Sequence, residues 1–267
     1  MRPHFYIGLA IVIIAEILLF TGVPWVSVFF TPIVWTGYIL LIDAIVFKIR
    51  NKSWLITRRK SFLLLFPLSA GFWYIFEFFN LFIRNWSYEG LPAPWIAVTG
   101  MTWAFATIGP GMLETADLLQ ALNAFRVRGK LFQIPKPVLY TLIVIGIACL
   151  IILLIVPSSA ARNLIVLLWL GFLFLFDPIN CLRGRKSILR DWQEGKWQFF
   201  FCLFLAGLIC GFLWEFWNYW AQARWVYQVP YAPGPKIFEM PLLGFLGFPP
   251  LALEYYAFYS LVFKWKH

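Results

Sequence analysis

WTGYILLIDAIVFKIRNKSWL at residues 35–55 returns as WLGFLFLFDPINCLRGRKSIL at residues 169–189, aligned without a gap. Trp35, Gly37, Asp43, Ile45, Lys52, Ser53 and Leu55 become Trp169, Gly171, Asp177, Ile179, Lys186, Ser187 and Leu189, which is W-x-G-x5-D-x-I-x6-K-S-x-L twice. After a small insertion the correspondence resumes. Glu77 and Asn80 match Glu215 and Asn218, Trp86 and Tyr88 match Trp225 and Tyr227, and Pro110 and Glu114 match Pro250 and Glu254. Ordered matches of this kind mark an internal duplication, with units at 1–130 and 131–267. The expected fold is all-α, a polytopic membrane protein of about eight transmembrane helices. Four crossings per unit would make the halves parallel, related by a pseudo-twofold axis along the membrane normal.

Composition supports a lipid solvent, since 62% of the 267 residues are hydrophobic and 13% are charged. Apolar stretches run at 5–21, 27–49, 61–84, 95–122, 138–157, 162–182, 197–222 and 239–263. Each approaches the ~20 residues that cross a bilayer core. The first follows Arg2 as a signal peptide would, but Glu16 interrupts it and no small-x-small cleavage site precedes Pro24 and Trp25, so it counts as a span. Gly109-Pro110 and Gly247-Phe248-Pro249-Pro250 predict kinks or breaks in the fourth and eighth stretches.

The net charge of +10 sits in short basic runs between apolar segments, which argues for topology and against a nucleic-acid partner. With the N-terminus inside, Arg2, Lys48–Lys60, Arg126–Lys136, Arg183–Lys196 and Lys264/Lys266 share one side. That side holds 18 of the 22 Lys and Arg residues, leaving Arg84, Arg162, Arg224 and Lys236 opposite. The positive-inside rule then predicts a multi-pass protein of the inner (cytoplasmic) membrane with both termini cytoplasmic.

Chemistry is bounded by what is scarce. The histidines are His4 and His267, which argues against a b-type haem, a histidine zinc site or a Ser/His/Asp triad. Cys149, Cys181, Cys202 and Cys210 form no C-x-x-C pair and read as packing residues. No metal and no cofactor is expected.

Acids inside a bilayer need partners, water or protonation. The duplication singles out Glu77 with Glu215 and Glu114 with Glu254 as candidate catalytic residues, with Glu114 and Glu254 expected as proton donors and Glu77 and Glu215 as polarising or positioning groups. Glu77 and Glu215 fall about 24 to 27 Å along their helices, in the outer half, and the second pair lies nearer the middle or inner half. Asn80 and Asn218 share a helix face with the first pair and could bond a carboxyl or a ligand. Trp86, Tyr88, Trp225 and Tyr227 are explained by an interfacial aromatic belt or by ligand contact. Trp214 flanks Glu215 in a strongly aromatic run, and ring faces beside a protonated carboxyl would suit carbocation chemistry. Asp43 and Asp177 read as helix-end caps or salt-bridge partners of Lys48 and Arg183, while Glu16 and Asp117 are secondary candidates.

This pattern resembles the duplicated membrane carotenoid (lycopene) cyclases and the related carotenoid hydratases, which place a proline-led acidic motif on a transmembrane helix. Residue by residue, the motif falls on Pro110 with Glu114 and on Pro250 with Glu254. A single acid follows each proline by four positions here, in place of the family's acidic doublet. Trp214-Glu215-Phe216 is similar to the aromatic acid setting of fungal membrane terpene cyclases, and Lys236–Tyr259 resembles a stretch recurring among bacterial membrane proteins. The resemblance implies an enzyme that protonates a polyprenyl or carotenoid-type lipid to cyclise, hydrate or isomerise it. Partners would be membrane lipids and an isoprenoid-like ligand, with a homo-oligomer or membrane complex also open. The alternatives are a proton-coupled transporter or channel, and an accessory subunit of a membrane complex.

Overall fold

Prolines in the first turn start most of the long helices, where their missing N–H costs nothing and their fixed φ suits the helix. In the computed structural model, which describes residues 1–228 and 234–263, they open α1 (Pro3–Phe20), α2 (Pro24–Arg50), α5 (Pro94–Ala121) and α6 (Lys136–Ile155). The Lys264/Lys266 tail and His267 lie outside the described residues. Between α2 and α5 come α3 (Trp54–Thr57), α4 (Arg59–Ile83) and strand β1 (Trp86–Glu89). After α6 follow α7 (Ser158–Ala161), a 3-10 turn, α8 (Val166–Leu182), α9 (Ile188–Gln193), α10 (Gln198–Trp220) and β2 (Arg224–Tyr227). The short ribbon β3 (Lys236–Ile237) and β4 (Met240–Pro241) leads through a second 3-10 turn into α11 (Phe248–Val262).

The chain is mainly helical, as its composition predicts, with two small ribbons that composition does not announce. Among the described residues, six helices, α1, α2, α4, α5, α6 and α10, are long and apolar enough to cross a membrane. A seventh is obtained if Ser158–Leu164 and Val166–Leu182, bent by 63°, form one span. The last apolar stretch, 239–263, does not form one helix. Pro249 and Pro250 cannot donate to a preceding turn, so α11 starts beside them and runs 15 residues, about 22 Å. By contrast α5 continues through Pro110. There Ser69 Oγ of α4 donates to Phe105 O (2.6 Å) and accepts from Gly109 N (2.9 Å), stitching the turn just before the proline.

α1 and α6 line the outside, with Ile7, Ile13, Ile14 and Ile17 on one and Val144, Ile147, Ile151 and Ile155 on the other exposed as lipid-facing residues are. Each meets its neighbour through facing glycines. A Cβ at Gly8 would lie 2.5 Å from Gly37 O, and one at Gly146 would lie 2.8 Å from Gly171 O. Small residues let helix backbones approach where lipid offers no hydrophobic drive. Gly8→Leu is expected to lower stability by about 1–3 kcal/mol. An unfolding midpoint in detergent equal to that of the parent protein would contradict this close approach.

The turns after α2 and α8 are fixed by the repeated aspartates. Asp43 accepts from Ser53 Oγ (2.9 Å) and Leu55 N (2.9 Å), and His4 Nε2 lies 3.1 Å from it. Asp177 accepts from Ser187 Oγ (2.9 Å), Ile188 N (2.8 Å) and Leu189 N (2.9 Å). Each aspartate thus holds the start of the next short helix, and each serine also caps that helix. The carboxylates serve these turns rather than Lys48 or Arg183.

Candidate functional site

Asn80 and Asn218, each three residues beyond a glutamate, bend the chain out of α4 and α10. Asn80 Nδ2 donates to Trp86 O (2.9 Å) while its Oδ1 accepts from Asn85 N (2.9 Å). Asn218 does the same with Trp225 O and Trp225 N, both at 2.9 Å. These amides are occupied by backbone, not by the glutamates, and they place the two strands. β1 and β2 pair antiparallel, with Trp86 opposite Tyr227, Ser87 opposite Val226 and Tyr88 opposite Trp225. Exchanging each residue for the one it matches in sequence (Trp86 for Trp225, Tyr88 for Tyr227) turns the first of these pairs into the last.

The ribbon returns its aromatic side chains to the glutamates. Glu77 Oε1 accepts from Trp73 Nε1 (2.9 Å), Trp86 Nε1 (3.0 Å) and Tyr88 Oη (2.5 Å). Glu215 Oε1 accepts from Trp225 Nε1 (3.2 Å) and Tyr227 Oη (2.9 Å), and its Oε2 is buried without a hydrogen-bond partner. Burial, reinforced by the neighbouring Glu77 carboxylate, pushes the Tyr88 phenol well above its usual range, and burial with Glu215 does the same to Tyr227. Both phenols therefore keep their protons at neutral pH.

A cavity of about 370 Å³ lies against this ribbon. Its walls include Trp73, Trp86, Tyr88, Trp169, Trp214, Trp225 and Tyr227, with Met101 and Phe105 of α5 and Leu251 of α11. Trp214 is held by ring contacts to Trp35 (4.9 Å between centroids) and Phe248 (6.4 Å, stacked). Such a mostly apolar concavity with a few convergent polar groups is the usual form of a small-molecule site. The glutamates do not line it; the phenols and indoles that they hold do.

The second glutamate pair is placed differently. Glu114 and Glu254 are fully buried, and neither lines the cavity. Among the described residues Glu254 has no hydrogen-bond partner, while the Asp43 side chain is within hydrogen-bonding reach of Glu114. Asp43 and Asp117 are the acidic groups that bear on Glu114. Glu16 accepts from Trp217 Nε1 at 2.9 Å, tying α1 to α10. Among the described residues no three His, Cys, Asp or Glu side chains gather as metal ligands do.

Sequence reasoning singled out the four ribbon aromatics but missed their bonds to the glutamates. Trp73 was legible as one of the aromatics crowding Glu77, and it lines the cavity. The signal for Trp73 is its place one helical turn before Glu77, where an indole N–H reaches the carboxyl. Trp169 was visible as a member of the repeated motif. Comparison of the chain with known protein families, curated proteins and solved structures finds no match.

Proposed function

We propose that this chain binds an apolar, isoprenoid-type lipid in the aromatic cavity and starts its cyclisation, hydration or isomerisation by protonating a carbon–carbon double bond. The observation that carries the reading is the convergence of two tyrosine–glutamate pairs on one aromatic-walled cavity. When the carboxyl is ionised it accepts a hydrogen bond from the tyrosine hydroxyl. When it is protonated it donates to the phenol oxygen and leaves the tyrosine hydrogen free for the cavity. In that state the Tyr88 or Tyr227 O–H bond breaks as a C–H bond forms on the alkene. The phenol oxygen takes the carboxyl proton of Glu77 or Glu215, and a carbocation is left facing indole and phenyl rings, which stabilise it without attacking. Loss of a neighbouring proton, ring closure or capture of water then gives the product.

The same reading takes the molecule as two parallel four-helix units with eight crossings. The bent α7–α8 pair and the turn–α11 segment serve as the sixth and eighth. The basic loops face the cytoplasm at the inner membrane, and the ribbon lies at the opposite face. The likeness to carotenoid cyclases concerns the reaction class only, since its proline-led motif falls on Glu114 and Glu254, away from the cavity.

The test exploits a product-independent mark. Purified protein is incubated in D₂O with host polyprenyl and carotenoid lipids, and the lipids are analysed by mass spectrometry. Protein-dependent, carbon-bound deuterium is expected. Lipids that gain no deuterium across the whole extract would sink the proposal.

A further inference from the structure

The repeated lysine of K-S-x-L has no part in the aromatic site, and its place in the fold is informative. At the helix ends opposite the ribbon, a cavity of about 770 Å³ lies between the loops of the two units. The first unit lends it Arg50, Lys52 and Arg58, and the second lends it Arg185, Lys186, Arg190 and Lys196. Three carboxylates, Asp117, Asp191 and Glu194, share the lining, so seven cations face three anions.

Internal pairing does not absorb the difference. Glu194 is taken by Arg190 (3.1 Å) and Lys196 (2.5 Å). Asp117 lies in the field of Arg58, Arg50 and Lys186 together. Arg50 bonds an uncharged amide, Gln120 Oε1 at 3.2 Å, and Arg185 bonds the carbonyls of Ser260 and Leu261. Arg58 lies over the Trp54 ring, 5.1 Å from its centroid. The described residues give Lys52 no ion pair. Burial lowers the pKa of the Lys186 amine and Arg58 adds to the effect, while the nearby Asp117 and Asp191 oppose it. Like charges gathered in a concavity repel unless an anion joins them. The turns that carry the two lysines are themselves held by Asp43 and Asp177, so their placement is fixed by buried bonds.

We infer that this cavity binds a phosphate or pyrophosphate group, held between the Lys52–Arg58 loop of one unit and the Lys186–Arg190 loop of the other. Guanidinium forks and ammonium points from two sides suit a tetrahedral polyanion. Leu113, Phe199 and Tyr256 add apolar surface to the lining, compatible with a group carried on a lipid as well as a free one. The site is separate from the aromatic cavity, and its test does not depend on proton chemistry.

The protein is placed in phosphatidylcholine nanodiscs. Inorganic pyrophosphate is titrated by calorimetry, and in a parallel arm phosphatidic acid is added to the nanodisc and its retention is read by native mass spectrometry. Saturable binding in at least one arm is expected, weakened about tenfold or more by Lys52→Gln with Arg58→Gln. These side chains are solvent-exposed, so the variant should fold, and Lys186→Gln provides a second test from the other unit. Arg126→Gln with Lys130→Gln, outside the cavity, should leave binding unchanged. Pyrophosphate binding identifies a free anion as ligand, and retention of phosphatidic acid alone identifies a headgroup. No binding in either arm, or binding that ignores both the Lys52/Arg58 and Lys186 changes, overturns the assignment.

Discussion

Replacing Tyr88 and Tyr227 together by phenylalanine is expected to lower deuterium incorporation into the lipid by about 10²- to 10⁴-fold, the usual worth of a positioned general acid. The change removes two hydroxyl groups and leaves both rings in the cavity wall. Glu77 keeps Trp73 and Trp86 as donors, and Glu215 keeps Trp225, so neither carboxyl is stranded. The ribbon is held by Asn80, Asn218 and its own ladder, none of which involves the phenols. Circular dichroism and gel filtration should therefore match the parent protein while turnover falls. Single variants resolve whether one pair or both deliver the proton. Glu77→Gln with Glu215→Gln tests the relay itself, because an amide can accept the phenol hydrogen bond but has no carboxyl proton to pass on. Undiminished incorporation in the double tyrosine variant would end the proposed role. An equal loss in Glu114→Gln with Glu254→Gln would move the donor to α5 and α11.

The helical class and the matching halves of the site were legible because helix period, apolar length and short repeated motifs are local properties. The repeat matched Glu77 with Glu215, Trp86 with Trp225 and Tyr88 with Tyr227, but it did not show that the aromatics bond to the glutamates. Nor could it show the two sets joined. β1 and β2 are four residues each and pair across more than half the chain, so neither W-S-Y-E nor R-W-V-Y carries a period long enough to reveal a strand. The cavity is likewise non-local, built from rings of α4, α8, α10 and both strands. Asn80 was read as a partner for a carboxyl one helical turn away or for a ligand. The structure uses it on backbone beyond the helix end, because a terminating helix leaves groups unsatisfied there. For the eighth apolar stretch, length suggested a span and Gly247-Phe248-Pro249-Pro250 predicted its break, and α11 accordingly occupies only the second half. Backbone chemistry outweighed hydropathy at that point.

The repeated aspartate turns carry the second large effect. Asp177→Ala is expected to destabilise the protein by about 3 kcal/mol or more, since it strands three donors at about 1–3 kcal/mol each where they stay buried. Asp177 is 2% exposed, and the Ser187 hydroxyl that bonds to it is buried. Without the carboxylate that hydroxyl loses an acceptor, and the amides of Ile188 and Leu189 lose theirs at a level where water does not readily replace it. Asp177→Asn should cost less, since one oxygen still accepts while its NH₂ faces donors. The measurement is the unfolding midpoint in detergent, paired with limited proteolysis between Arg183 and Arg190, where the loosened turn should be cut first. A midpoint unchanged in the alanine variant would show that the bonds are not what holds the turn. Because Lys186 immediately precedes Ser187, the same variant should also weaken phosphate binding in the basic cavity without altering any cation there. Loss of affinity together with faster cleavage would explain why the motif joins its aspartate to its lysine: the buried acid positions the base.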